Sequence, residues 1–104
     1  MTEQDIQNSI RLKLSEMGFT VFRINVGRFQ MKDGRWFDTG VPKGFSDLEA
    51  VKDGRVYFIE VKKPGGKVRP DQVEFINRMR EQGCRAGVAF SVEEAVEIVT
   101  GTGD

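Results

Sequence analysis

An Asp53-Gly54 pair separates two runs suited to β structure, residues 46–52 (Ser-Asp-Leu-Glu-Ala-Val-Lys) and 55–62 (Arg-Val-Tyr-Phe-Ile-Glu-Val-Lys). Asp-Gly between alternating or β-branched residues is the strongest short-range signal for a two-residue hairpin, because both loop positions require positive φ. With those residues as the loop, the register follows. Lys52 faces Arg55, Val51 faces Val56, and further down the ladder Asp47 faces Glu60. Side chains repeat every second residue along a strand, so Lys62 leaves the same face as Glu60.

Two carboxylates directly opposite each other on a sheet repel. A divalent cation would turn that repulsion into coordination, and Mg²⁺ takes oxygen ligands from one or two carboxylates, water and phosphate. Lys62 beside them would position or polarise an attacking water and offset developing negative charge. Asp47, Glu60 and Lys62 therefore read as a metal-dependent site for phosphodiester hydrolysis. The ordinary alternative is a solvent-facing hairpin surface on which Lys62 neutralises Glu60, since short acidic–lysine patterns recur by chance. The register and the flanking features favour the site.

Composition narrows the chemistry. At 104 residues, with 38% hydrophobic and 31% charged side chains, the chain is expected to form one small domain with a single modest core. No apolar run approaches a membrane span and no secretory signal opens the sequence, so an intracellular protein is expected. The single Cys84 excludes an internal disulfide framework and a CxxC zinc pair. The absence of histidine excludes a zinc hydrolase built on it, a Ser-His-Asp triad and a His-based nuclease. Any catalysis must come from carboxylates, lysine and metal. The net charge is zero, yet residues 23–69 hold eleven basic against six acidic side chains, leaving +5. Beyond Arg85 the charged residues are all acidic. A basic middle suits a phosphate backbone, though weakly as a signal by itself.

In chain order, residues 3–17 read as an amphipathic helix with Thr2 as N-cap, an inward stripe of Glu3, Gln7, Ile10, Leu14 and Met17, and Gly18 as its stop. The polar Glu3 and Gln7 at the head of that stripe fit a helix that starts beside a charged site; a frayed first turn is the ordinary alternative. A strand over 20–25 follows, then a glycine-punctuated stretch to Phe45 with a second Asp-Gly pair, Asp33-Gly34, expected as a hairpin or long loop. Basic residues such as Arg28 interleave there with Phe29, Trp36 and Phe37, a combination suited to phosphate contact and stacking on unpaired bases; the ordinary alternative is that the aromatics fill the core, which is preferred for Phe37 and stays open for Trp36. The glycines and proline of residues 40–45 predict a tight backbone approach before Asp47. After Lys62 comes a turn, then a helix opening at Pro70 and Asp71 with Gln72, Val73, Phe75, Ile76 and Met79 on its inner face and Gly83 at its end. Residues 86–90 are expected as a strand parallel to that of Glu60, and Ser91-Val92-Glu93-Glu94 as the capping box of a last helix. Residues 101–104 are expected as a loose tail. The order αβββαβα predicts a mixed sheet flanked by helices.

Ser46-Asp47, twelve intervening residues and Glu60-Val61-Lys62 resemble the core of the PD-(D/E)xK nuclease superfamily. Glu3-x3-Gln7, Gly44-Phe45-Ser46-Asp47-Leu48, Phe58-Ile59-Glu60-Val61-Lys62-Lys63-Pro64 and Arg69-Pro70-Asp71-Gln72 extend the resemblance to its VRR-NUC family over nearly the whole chain. One departure is Ser46, where the superfamily often has proline. The resemblance implies a restriction-endonuclease-like αβββαβ core. It also implies Mg²⁺ or Mn²⁺ held by Asp47, Glu60 and the Val61 carbonyl, with Lys62 at the attacking water, Glu3 extending the coordination and Gln72 supporting the site. Gln7, Arg28, Trp36, Lys43, Lys63, Lys67 and Arg69 are the candidate substrate contacts. Stand-alone relatives of this kind resemble phage and bacterial structure-specific endonucleases, often homodimers. The resemblance thus implies DNA as partner, branched junctions or flaps as substrate, and a cytoplasmic location. A non-catalytic DNA-binding module and a partner-dependent nuclease subunit are the alternative functions.

Overall fold

A computed structural model describes residues 1–101. Its centre is the Asp53-Gly54 hairpin. Both loop residues take positive φ (53° and 77°), the conformation a type I′ turn demands. The turn joins β4 (Leu48–Lys52) to β5 (Arg55–Val61) in the register Lys52↔Arg55 through Leu48↔Ile59, as the sequence predicts. The remaining elements are α1 (Glu3–Glu16), β1 (Thr20–Arg23), β2 (Arg28–Gln30), β3 (Trp36–Asp38), α2 (Pro70–Glu81), β6 (Arg85–Ala89) and α3 (Val92–Thr100). The main sheet runs β1-β4-β5-β6, antiparallel except for the parallel β5–β6 pair. Element ends fall within one or two residues of expectation, except that Ser46 and Asp47 lie outside β4.

Alternation along the strands sorts the core into two layers. Leu48, Ala50, Tyr57, Ile59, Val61 and Ala89 pack with Ile6, Ile10 and Leu14 of α1 and Ala95 and Val99 of α3. Phe58 and Ala86 pack with Ile76 of α2, flanked by Phe45 and Phe75. Phe45, Phe58 and Phe75 meet with ring centroids 4.4 to 5.6 Å apart. Glu60 and Lys62 share the parity of Phe58, so they leave the face that α2 covers.

The helix ends follow the sequence closely. The Thr2 hydroxyl accepts from the Asp5 N–H at 3.1 Å, while the Asp5 carboxylate accepts from the Thr2 N–H at 2.9 Å. At α3, Ser91 Oγ accepts from the Glu94 N–H, but the Glu94 carboxylate takes the Phe90 N–H at 2.7 Å instead of the one on Ser91. Gly101 is the left-handed C-cap of α3, part of the helix end instead of a tail, and 102–104 lie outside the described residues.

Two assignments to the core are corrected. Val73, placed on the inner face of α2, is 44% exposed, since only Gln72 and Ile76 of that helix are fully buried against the sheet. Phe37 is 47% exposed, because β2 and β3 pair with each other in a separate two-stranded sheet that does not join the main one. The tight approach expected around residues 40–45 is real, and its target is α2. A Cβ on Gly44, at φ +96°, would stand 2.5 Å from the Asp71 carbonyl oxygen.

Gly44→Ala therefore combines a strained backbone with a collision against main chain that cannot rotate away. Thermal unfolding should shift down by roughly 4–8 °C or more, the response of a small domain to about 1 kcal/mol or more of strain. An unchanged Tm would contradict the close docking of this loop on α2.

Candidate active site

The β4–β5 ladder stops one residue short of Asp47, and the aspartate side chain takes over from it. Asp47 Oδ2 accepts from the Val61 N–H at 2.9 Å, while its own carbonyl accepts from the Ile24 N–H at 2.8 Å. Asp47 is thus pinned between β1 and β5 with a carboxyl directed at the Glu60–Val61 segment. Glu60 is 2% exposed. Its Oε1 accepts from Gln72 Nε2 at 2.7 Å, and its buried Oε2 accepts from no N–H or O–H donor among the described residues, leaving the Asp47 carboxyl as the group it interacts with. The other end of the Gln72 amide accepts from the Arg69 N–H at 3.0 Å, so one side chain caps α2 and holds the carboxylate.

Burial raises both carboxyls above their ordinary range. The Glu60 carboxyl is pushed up to about 8 by burial first and by the Asp47 charge second, against the opposing pull of Lys62 and Arg69. Asp47 is raised mainly by burial and further by the charge of Glu3, while the Val61 N–H and Lys62 act the other way. Without a bound cation the pair therefore holds a proton at neutral pH. Lys62 is 9% exposed and forms no ion pair among the described residues. Its stem is buried while its charge acts on both carboxyls.

Other candidates are distributed around this centre. Glu3, at the start of α1, is near enough for its charge to act on Asp47, but it does not join the pair: among the described residues no three acidic, His or Cys side chains gather closely enough for a metal. Gln7 is buried at 7% exposure, with Gln4 Nε2 at 3.4 Å from its Oε1. Arg69 sits at the N-cap of α2 with its Nε 3.2 Å from Asp71. Lys43, Lys63 and Lys67 are exposed on the loops that flank the strands.

Two further side chains belong here, Arg23 from the basic middle of the chain and Phe29 from the aromatic stretch. A cleft of about 520 Å³ reaches Asp47 between walls that include Arg23, Asn25, Phe29 and Thr39. Arg23 arrives because β1 pairs antiparallel with β4, setting it opposite Leu48, a register no turn motif announces. Phe29 arrives from the β2–β3 hairpin. Arg28 and Trp36 leave the opposite face of that hairpin, with the guanidinium 5.6 Å from the indole centroid, so the aromatic at the cleft is Phe29 and not Trp36. Ser46, buried at 1% exposure with an unpartnered Oγ, precedes Asp47.

A family model for the VRR-NUC domain matches residues 1–93, and the chain belongs to the VRR-NUC family, a nuclease-type domain. A solved VRR-NUC domain structure shares the fold, with a TM-score of 0.70, 21% identity, and 98% of this chain and 99% of that one covered. No curated protein matches significantly. The fold is the mixed α/β arrangement expected of a restriction-endonuclease-like core.

The raised Glu60 carboxyl sets a pH dependence. In the unfolded chain Glu60 titrates near its ordinary 4.5, in the folded one at about 8. The native state thus binds the extra proton between those values, and stability falls as pH rises through that window. In EDTA, the Tm of the wild type should decline from pH 5 to pH 8 more steeply than that of Glu60→Gln. Parallel curves would show that Glu60 is not held protonated.

Proposed function

We propose that this chain is a divalent-metal-dependent endonuclease hydrolysing phosphodiester bonds in DNA. The observation that carries the reading is the buried Asp47–Glu60 pair, in which Glu60 Oε2 accepts from no N–H or O–H donor among the described residues, beside the Lys62 ammonium, which forms no ion pair there. An orphaned carboxylate oxygen in an all-oxygen donor set with no histidine fits a hard cation. Asp47, Glu60 and the Val61 carbonyl would hold Mg²⁺ or Mn²⁺. Such an ion, when bound, supplies a Lewis acid for the phosphoryl charge and lowers the pKa of its water.

The chain's own residues do the rest. Gln72 fixes the orientation of Glu60 from α2, and the Val61 N–H fixes that of Asp47, so the two carboxylates are preorganised. The shared proton must leave before a cation enters, which makes loading more favourable at higher pH. Lys62, two residues along from Glu60 and on the same face, steers the attacking water and offsets negative charge in the transition state. Arg23 in the cleft wall is placed to meet a phosphate on its way to Asp47. A branched substrate and a homodimer belong to the same proposal, because one small domain offers little surface to span a junction.

Cleavage of labelled four-way junction, flap, single-stranded and linear duplex DNA tests the reading. Cutting should require Mg²⁺ or Mn²⁺, be abolished in Glu60→Ala, and fall by about a hundredfold or more in Lys62→Ala with DNA binding retained. Intact DNA in every arm would refute the nuclease. Independently of turnover, Mg²⁺ should raise the Tm of the wild type and leave that of Glu60→Ala unmoved.

A further inference from the structure

The β2–β3 hairpin presents two different faces. Phe29 and Phe37 are direct cross-strand partners on one, with ring centroids 5.2 Å apart and planes tilted by 44°. Both rings are about half exposed, at 52% and 47%, and the hairpin has its own sheet, so the main β-sheet does not cover them. An isolated two-stranded hairpin is marginal in water, and an aromatic pair left open on it marks a contact surface.

We propose that Phe29 and Phe37 form a stacking platform for an unpaired nucleobase adjoining the phosphate that reaches Asp47. Continuity with the site favours this occupant, because Phe29 and Asp47 line one cleft with Arg23. A second copy of the chain seated on the Phe29 ring would close that cleft over Asp47. Charge favours it too. Asp33 is taken up by Arg35 at 2.7 Å and Asp38 accepts from the Gly40 N–H at 2.8 Å, whereas Arg23 and Lys32 form no ion pair among the described residues; Arg28 lies on the other face of the hairpin, over Trp36. Cations flanking a π-surface are how proteins hold single-stranded nucleic acid with little sequence preference. Inside a duplex both faces of a base are covered by its stacked neighbours, so the platform selects substrates with unpaired, unstacked nucleotides at the cut site.

The inference rests on the nuclease reading only in taking nucleic acid as what enters the cleft. Its test is equilibrium binding, in EDTA so that nothing is cut, of the full chain to a short oligothymidylate and to an abasic strand of equal length and charge. The wild type should prefer the base-bearing strand by about 5- to 150-fold, the range for one stacked base. Phe29→Ala/Phe37→Ala should bind both strands alike, at the wild-type affinity for the abasic one. Phe29→Leu/Phe37→Leu, which keeps apolar bulk and so guards against loss of the fold, should lose most of the preference at an unchanged circular dichroism spectrum. No binding of either strand sinks the platform, while the nuclease reading stands or falls on the cleavage assay above. Binding without a preference for bases, or a preference that survives in both variants, sinks the platform alone. A double variant that instead turns a dimer into a monomer in sedimentation, with base preference intact, assigns the face to a second copy.

Discussion

Keeping the carboxyl of Glu60 inside the protein is the constraint from which the site's other features follow. It stands on β5, an interior strand, where water cannot solvate it and where the Asp47 carboxyl is its neighbour. An isolated buried charge is far too costly to persist, so the group either takes a proton or finds a cation. Gln72 supplies the one neutral partner, a 2.7 Å hydrogen bond from the head of α2. The same amide caps that helix, so the seating of α2 and the aim of Glu60 are a single mechanical fact. Gly44, with its backbone against Asp71, brings the loop before Asp47 to the same helix turn. Both halves of the carboxylate pair are thereby referenced to α2.

Charge in this molecule is placed more for the site than for stability. The ion pairs among the described residues, Arg35–Asp33, Arg69–Asp71 and Arg78–Glu74, lie between largely exposed side chains close in sequence. Pairs of that kind contribute little. Stability comes from the two apolar layers and from capped helix ends, including the Lys52 ammonium, which donates to the Met17 carbonyl at 2.8 Å while packing over Phe19. Lys62 differs from every one of these. It is buried, close enough to lower both carboxyls, and without an ionic partner.

The aromatic residues divide along the same line. Phe45, Phe58 and Phe75 interlock beneath α2, and Phe19 meets Tyr57 edge-on at 5.4 Å on the opposite layer. Those rings hold the sheet to its helices. Phe29, Trp36 and Phe37 hold nothing of the kind, because their hairpin belongs to a separate sheet. Phenylalanine occurs in both groups; what distinguishes them is whether a helix is available to cover them.

Much of the centre was legible in the sequence, because it depends on local rules. Asp-Gly dictates a two-residue turn, the turn dictates the register, and strand parity places Asp47, Glu60 and Lys62 on one face. The Thr2, Pro70 and Ser91 signals mark helix starts for equally local reasons, and the two polar residues at the head of the first helix stripe, Glu3 and Gln7, were already visible. Other features required the tertiary structure. Which strand lies beside β4 is a long-range choice without a motif, so Arg23 was visible only as one of the basic residues of the middle stretch and not as a neighbour of Asp47. Phe37 looks like a core residue until the hairpin is seen to stand in its own sheet. Gln7 and Gln72 look equivalent along their helices, yet only Gln72 reaches Glu60, because α2 covers the face from which that carboxylate projects. Sequence alone determined the hairpin, its register and the acidic and lysine side chains it brings to one face, since short-range backbone preferences decide them. The tertiary structure decided what surrounds that chemistry, since burial and neighbourhood are set by contacts between distant segments.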